Sequence, residues 1–328
     1  MLITIVIPVW QRAKQISLML SKLDEQASCL CEKLEVILCD SHSSREIDDL
    51  AIDASQRLPS LIIRHLHTDN ILAAKRNLGI KVSNGDYLVF LDDDCIPDDD
   101  FLKNVVALTS SLDKNKIYCG EVRFEEELVK NSNYYRYRDS RHPHYETMKN
   151  RELDAWTIVS MNCLLSKELL TRTGALYNEK FVGYGCEDHE FGWKLIKKDI
   201  KIELSKQLIY HHEYNGDILK YSNKIKSTAR DGMYILANEC PELILNNKKL
   251  CKLEKIFANK NFLGTVLSKT IFNIRLSTAV AKFLTKVDRI KFFYMPVLFR
   301  FVLICAYIEG IRERESIDRR KLLKEWYL

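Results

Sequence analysis

The stretch Asp86-Tyr-Leu-Val-Phe-Leu-Asp92-Asp93-Asp94-Cys-Ile-Pro97 contains a short apolar run, Tyr87 to Leu91, entered from the turn signal Asn84-Gly85-Asp86. Such a run, aromatic and β-branched in part, reads as a buried strand near the middle of a sheet. Three consecutive aspartates at its end repel one another and resist burial, so a cation or a hydrogen-bonded polyol has to compensate them. A divalent metal is the obvious compensation. In the plainer reading the aspartates cap a helix starting near Asp98.

Upstream, the pattern alternates. Leu2 to Val9 is a strand stopped by Pro8, and Gln11 to Glu25 carries Ile16, Met19, Leu20 and Leu23 at helical spacing. Leu34 to Cys39 is a second strand ending at Asp40-Ser41-His42-Ser43-Ser44. A helix through Ile47, Leu50 and Ala51, a strand over Leu61 to His65 and a helix over Ile71 to Val82 follow. Strands alternating with helices imply an α/β fold, a mostly parallel, Rossmann-like central sheet flanked by helices. Ligands of such sheets bind beyond the carboxyl ends of the strands. Pro8 to Arg12, Asp40 to Ser44 and Asp92 to Asp94 are therefore expected to converge on one crevice.

Downstream, Phe101 to Leu112 is helical and Ile117 to Phe124 strand-like, whereas Glu125 to Glu152 is a polar segment dense in Tyr, Arg and His. Its length without periodicity suggests a substrate-facing lid, in which rings stack on sugars and arginines meet phosphates; an exposed insertion is the plainer reading. Trp156 to Ser160 and Cys163 to Leu165 read as strands, and Lys167 to Arg172 as a helix closed by Gly174. In Gly183-Tyr-Gly185-Cys-Glu187-Asp188, the two glycines allow close approach to a ligand, and the acidic pair falls in the first turn of a helix. Gln207 to His212 is a short strand ending in two histidines.

With 328 residues and 46% hydrophobic content, the chain can bury a full core and carry an appendage. Its ten cysteines include no C-x-x-C pair, and Leu2 to Val9 has neither a basic flank nor a cleavage site, so a reduced, cytoplasmic chain is expected. The net charge is +5, with acids crowding the first 200 residues and bases the end. Confinement of the bases to the tail, interleaved with aliphatics, argues against nucleic-acid binding.

Together these residues resemble the family 2 glycosyltransferases of GT-A fold, over about the first 215 residues. The resemblance is carried by Pro8-Val9, the Asp40 cluster, Lys75-Arg76-Asn77-x-Gly79 and F-L-D-D-D-x-x-P. The segment from Gly183 to Asp188 is similar to the G-[WY]-G-x-E-D signature of the branch that includes β-1,4-galactosyltransferases and bacterial chondroitin polymerases. Tyr210-His211-His212-Glu213 resembles the polymerases' strand end, where a histidine completes the metal site. The resemblance implies a catalytic domain over 1–215, with a nucleotide-sugar half over about 1–97 and an acceptor half over about 98–215, and a helical extension over 216–328. It implies donor contacts at Pro8, Val9, Arg12, Asp40, Arg76, Asp92 and Asp93, with Asp40 on the nucleobase or ribose and Arg76 near the diphosphate. Asp94 and His211, rather than His212, would hold Mn2+ or Mg2+. Tyr184, Gly185 and Glu187 would meet the acceptor, and Asp188 would be the general base. Ser41 replaces the family's common second aspartate, and Gln11-Arg12 its usual Asn or Glu.

The implied reaction is an inverting transfer from a UDP-sugar to a glycan acceptor, of the kind used to build bacterial surface polysaccharide. The tail places Lys269, Arg275, Lys282, Lys286, Arg289, Lys291 and Arg300 among apolar residues, followed by Arg312, Arg314, Arg319, Arg320, Lys321 and Lys324. Cationic amphipathic helices of this kind lie on anionic membranes, where a lipid-linked acceptor is found. The alternative packs these helices on the catalytic domain or on a second copy in a homodimer. Two other classes stay open: a sugar nucleotidyltransferase, which would need a glycine-rich loop after the first strand, and a non-enzymatic membrane scaffold.

Overall fold

The structure, a computed structural model, describes residues 2–30, 33–41, 45–111, 113–149, 151, 153–213, 215–258 and 262–314. In chain order, β1 (Ile3–Val9), α1 (Ala13–Cys29), β2 (Leu34–Asp40), α2 (Arg45–Arg57), β3 (Leu61–His67), α3 (Leu72–Val82) and β4 (Tyr87–Leu91) alternate as the apolar spacing predicts. There follow β5 (Cys95–Pro97), α4 (Phe101–Thr109), β6 (Lys116–Arg123), α5 (Glu126–Asn131), α6 (Asn133–Asp139), α7 (Tyr145–Met148), β7 (Asn162–Ser166), α8 (Lys167–Thr173), α9 (Glu187–Ile196) and β8 (Lys201–His211). The expected closure of α8 is present: Gly174 adopts φ 61°, and its N–H bonds the Leu170 carbonyl. Of the cluster expected after β2, His42, Ser43 and Ser44 lie outside the described residues, as does Cys31.

The eight strands form one sheet in the order β3-β2-β1-β4-β7-β6-β8-β5. β1 to β4 are mutually parallel, β7 runs antiparallel to both neighbours, β6 and β8 are parallel, and β5 runs antiparallel to β8. β1 and β2 are buried at every position, so their near-continuous apolar sequences fit strands covered on both faces. Three expectations fail locally. Trp156 to Ser160 forms turns, the last strand starts at Lys201 rather than Gln207, and the three-residue β5 is an addition. Its few residues carry too little periodicity to be seen in sequence.

The chain forms two compact units, the first comprising Met1–Glu125, His142–Glu179 and Asp188–Glu213 and the second Glu126–Arg141, Lys180–Glu187 and Tyr214–Leu328. The second is helical, with α10 (Ile218–Ser227), a π-helical turn (Thr228–Gly232), α11 (Met233–Glu239), α12 (Pro241–Asn246), α13 (Lys248–Phe257), α14 (Phe262–Lys269), α15 (Ile274–Lys286) and α16 (Pro296–Glu313). Pro296 opens α16, at a position whose N–H has no helical partner to lose. Phe299, Val302, Cys305, Ala306, Ile308 and Ile311 of α16 are buried. This helix, expected to lie on a membrane, is therefore part of the second unit's core. Among the described residues no helix is long and apolar enough to cross a membrane. Arg319, Arg320, Lys321 and Lys324 lie outside the described residues.

The Tyr/Arg-rich segment is also redeployed. Tyr137 stacks on Phe299 at 4.8 Å, Arg138 lies 3.8 Å from the centre of the Tyr221 ring, and its guanidinium donates to the Tyr134 hydroxyl at 2.8 Å. Rings expected to face a sugar are buried in the helical unit, because three tyrosines on one short helix bring more apolar area than an exposed loop would tolerate.

Close packing of α3 on β1 fixes the position of the site residues α3 carries. A Cβ on Gly79 would lie 2.2 Å from Val6 Cγ1. Gly79→Ala should therefore lower stability by about 1–3 kcal/mol through overpacking, read as a reduced urea midpoint; an unchanged midpoint would show that α3 shifts freely on the sheet.

Candidate active site

The pairing of Val9 with Asp40, and of Asp40 with His67, sets the carboxyl ends of β1, β2 and β3 side by side, next to the end of β4. Just past β1 the backbone turns sharply, with Gln11 at φ 59°, a left-handed conformation unusual for a side-chain-bearing residue. That turn directs the Trp10 N–H to Asp93 Oδ2 at 2.7 Å and the Arg12 guanidinium to Asp93 Oδ1 and, at 2.9 Å, to Asp94 Oδ2. Lys75 Nζ donates to the Val9 carbonyl at 2.7 Å and to Asn70 Oδ1 at 3.1 Å, steadying the same turn from α3. Burial pushes the Lys75 ammonium down to about 8, against the pull of Asp40 and Asp93.

Arg76, also on α3, is buried and bridges two carboxylates, donating to Asp92 Oδ1 and to Asp188 Oδ1, both at 3.0 Å. The second oxygen of Asp188 accepts the Ser160 N–H at 3.2 Å. Asp188 is thus oriented on both sides from residues distant in sequence. Arg76 was expected beside a diphosphate; its two terminal nitrogens each face one of these carboxylates. Burial raises Asp92, with Asp94 and Asp188 adding to the rise and Arg76 opposing it. Burial likewise pushes Asp93 up to about 6, with Asp94 adding and Arg12 opposing. The three aspartates are held as acceptors of defined donors rather than as helix caps: α4 begins only at Phe101, and Asp100, its N-cap, makes no side-chain capping bond.

β5 pairs antiparallel with β8 so that Cys95 faces His211, which brings His211 Nε2 to 3.3 Å from Asp94 Oδ2. The His212 ring is turned toward Glu125 instead, at 3.8 Å. Asp94 and His211 offer a carboxylate oxygen and an imidazole nitrogen, and the buried His211 Nδ1 has no hydrogen-bond partner. A mixed oxygen and nitrogen pair beside further carboxylates suits a divalent cation. The residues therefore fit such an ion.

Tyr184, Gly185 and Glu187 belong to the second unit, Asp188 to the first. A Cβ on Gly183 would meet Asp231 Cβ at 2.5 Å, and one on Gly232 the Gly185 carbonyl at 2.2 Å; Gly185 and Cys186 both have positive φ. These glycines serve close backbone packing against the π-helical turn, a demand their spacing does not distinguish from ligand approach. Sequence reasoning also missed His65 and His67, whose ligating atoms and one of Asp40 all lie within 4.8 Å of one another. The only signal was the i, i+2 spacing of the two histidines, which puts them on one face of a strand.

A parallel sheet with an antiparallel flank, carrying paired carboxylates at its carboxyl edge, defines a GT-A fold. It is similar to the S. aureus TarS 1–349 structure in complex with UDP-GlcNAc (TM-score 0.53, 14% identity, 96% of this chain and 92% of that one). The complex of TarS 1–349 with UDP has a TM-score of 0.51 at 14% identity over the same shares. The family model described as Glycosyl transferase family 2 matches residues 4–174, and the chain belongs to that family. An Escherichia coli chondroitin synthase is 24% identical over 249 residues, 65% of this chain and 35% of that protein. An uncharacterized glycosyltransferase of Haemophilus influenzae is 32% identical over 93 residues, 28% of this chain and 29% of that one. The chain spans about a third of the length of these curated relatives.

Removing a buried cation that two acids share leaves both charges uncompensated. Arg76→Met should cost roughly 3–5 kcal/mol in unfolding free energy. Asp188→Asn should then cost less in the Arg76→Met background than in the parent, with a coupling of roughly 0.5–3 kcal/mol. Strict additivity of the two substitutions in urea denaturation would contradict the bridge.

Proposed function

We propose that the chain transfers a sugar from a UDP-sugar to a hydroxyl of a glycan acceptor with inversion at the anomeric carbon, assisted by Mn2+ or Mg2+. The observation that carries this reading is the gathering of Asp92, Asp93, Asp94 and His211 at one sheet edge, together with an Asp188 carboxylate held by Arg76 and the Ser160 N–H. The similarity to TarS in its complexes with UDP-GlcNAc and with UDP supports the donor class. In this reading Pro8, Val9 and Asp40 line the nucleobase and ribose end, and Arg12, Asp92 and Asp93 the side toward the diphosphate. Asp94 and His211 hold the cation, which supplies positive charge where the leaving phosphate becomes more negative.

The protein's own contribution is orientation and proton transfer. Arg76 keeps its charge at all working pH values and holds the Asp188 carboxylate at a fixed angle. The acceptor hydroxyl gives its proton to that carboxylate late in the displacement, when the anomeric carbon is already cationic, and a weak base suffices. Glu187, with Tyr184 and Gly185, has the task of holding acceptor hydroxyls. A single base on one face of the sugar, with no second carboxylate assigned as a nucleophile, favours inversion over retention.

The exposed side of the second unit supports a lipid-linked acceptor. Phe292, Phe262 and Val297 are 90%, 86% and 72% exposed, and Leu263, Ile274 and Leu276 are exposed with them. Lys269, Arg275, Lys282, Lys286, Arg289 and Lys291 are exposed in the same segment. Apolar side chains interspersed with cations match an anionic bilayer surface.

In calorimetry UDP should bind with Mn2+ and lose most of its affinity in EDTA; equal affinity in both would remove the metal from the mechanism. With a donor and acceptor in hand, Asp188→Asn should lower kcat by roughly 10²–10⁴-fold at little cost in donor affinity, whereas Glu187→Gln should chiefly raise the acceptor KM. A near-normal kcat in Asp188→Asn would place the base elsewhere. The double variant Phe262→Ser, Phe292→Ser should sediment less with anionic liposomes than the parent does, and equal sedimentation would argue against membrane contact through this segment.

A further inference from the structure

The edge strand β3 carries two histidines, His65 and His67, that the proposed transfer does not use and that stand beside Asp40 of β2. Because parallel partners share a face, the pairing of Leu38 with His65 and of Asp40 with His67 puts Asp40, His65 and His67 on one side of the sheet. Asp40 is fully buried, the His65 side chain is almost so, and the His67 side chain is half exposed at the strand's end. His65 Nε2 stands 3.4 Å from Asp40 Oδ2, its Nδ1 stands 2.9 Å from Asp48 Oδ1 on α2, and the two imidazole centres are 4.6 Å apart.

This geometry has a direction. In the tautomer that donates Nδ1–H to Asp48, the shorter of the two contacts, Nε2 presents a lone pair to a carboxylate oxygen of Asp40. Two acceptors facing each other in a buried place call for a cation or a proton between them. A histidine whose far nitrogen is fixed by a carboxylate, while its near nitrogen faces another ligand, is the arrangement by which proteins orient imidazole toward a metal. Bonds of about 2.0–2.2 Å to Zn2+ need ligand atoms somewhat over 3 Å apart. The Asp40–His65 pair meets that spacing, and all three ligand atoms lie within 4.8 Å of one another. His67 Nε2 stands 3.5 Å from the same Asp48 Oδ1 that meets His65, so His67 has to turn from that carboxylate, at an exposed strand end, to join the other two ligand atoms. Two imidazoles and one carboxylate favour Zn2+, Ni2+ or Cu2+ over Mg2+, which prefers an all-oxygen octahedron.

We propose that Asp40, His65 and His67, with Asp48 orienting His65, form a second divalent-cation site that takes Zn2+-type ions and whose occupation competes with the donor nucleotide. The competition rests on the reading that Asp40 faces the nucleobase: a cation bound to its Oδ2 withdraws that acceptor, and the Oδ1 atom already accepts the Ser41 N–H. The site then acts as an inhibitory switch, separate from the pair formed by Asp94 and His211.

The test uses the full chain, stripped with EDTA and titrated with ZnCl2 in a calorimeter. Zn2+ binding should persist in Asp94→Asn, His211→Gln, which lacks the other candidate site. It should weaken at least tenfold in His67→Gln, an exposed position that the fold tolerates, and roughly 10–100-fold in Asp48→Asn. No Zn2+ binding in the Asp94, His211 variant, or equal affinity in His67→Gln and the parent, would overturn the site and leave a proton as the bridge between Asp40 and His65. In a second arm, saturating Zn2+ should reduce UDP affinity at fixed Mn2+ at least tenfold in the parent but not in His67→Gln, which also controls for Zn2+ complexed by UDP. Zn2+ binding that behaves as expected while UDP affinity stays constant would uphold the metal site and overturn the competition, and with it the nucleobase role of Asp40. Failure of UDP to bind at all, with Zn2+ binding intact, would overturn the donor reading alone.

Discussion

Three adjacent carboxylates at the end of a buried strand are the constraint from which the rest of the first unit follows. Each aspartate is answered from a different element: Asp92 by Arg76 of α3, Asp93 by the Trp10 N–H and Arg12 just after β1, and Asp94 by Arg12 and His211 at the end of β8. Burial works against the charge of Asp92 and Asp93, so the donors must arrive in fixed positions. The left-handed Gln11 and the tight α3–β1 contact at Gly79 are the local strain and packing by which they do so.

Arg76 extends that network to the far half of the sheet. By joining Asp92 to Asp188 it couples the end of β4 to the start of α9, two places 96 residues apart by their numbers, and the Ser160 N–H completes the hold. A buried guanidinium shared by two acids is geometrically selective because its planar fork fixes the angle as well as the distance. Orientation of Asp188 is therefore a property of the assembled sheet.

The helical unit shows the reverse relation between composition and placement. Apolar residues of α16 and the tyrosines of α6 are taken into its interior, whereas Phe262, Phe292 and Val297 stay outside among exposed cations. Similar local sequences thus serve two ends. Helical spacing alone does not say which face a neighbouring helix will cover, and the long Tyr/Arg-rich stretch lost its irregular appearance once short helices gave its rings somewhere to pack.

Sequence by itself determined the alternating strands and helices up to Leu91, the cluster of acids at a strand end, the closure of α8 at Gly174 and the family. All of these depend on short-range periodicity, turn chemistry or motif order. The tertiary structure alone decided which carboxylate meets which cation, that the Gly183 and Gly185 backbone packs against a π-helical turn, and that His65 and His67 stand over Asp40. The reason is that pairing register sets these contacts. A shift of one residue along β8 or β3 would send every side chain to the opposite face, and nothing within either strand's own sequence specifies the register of its neighbour.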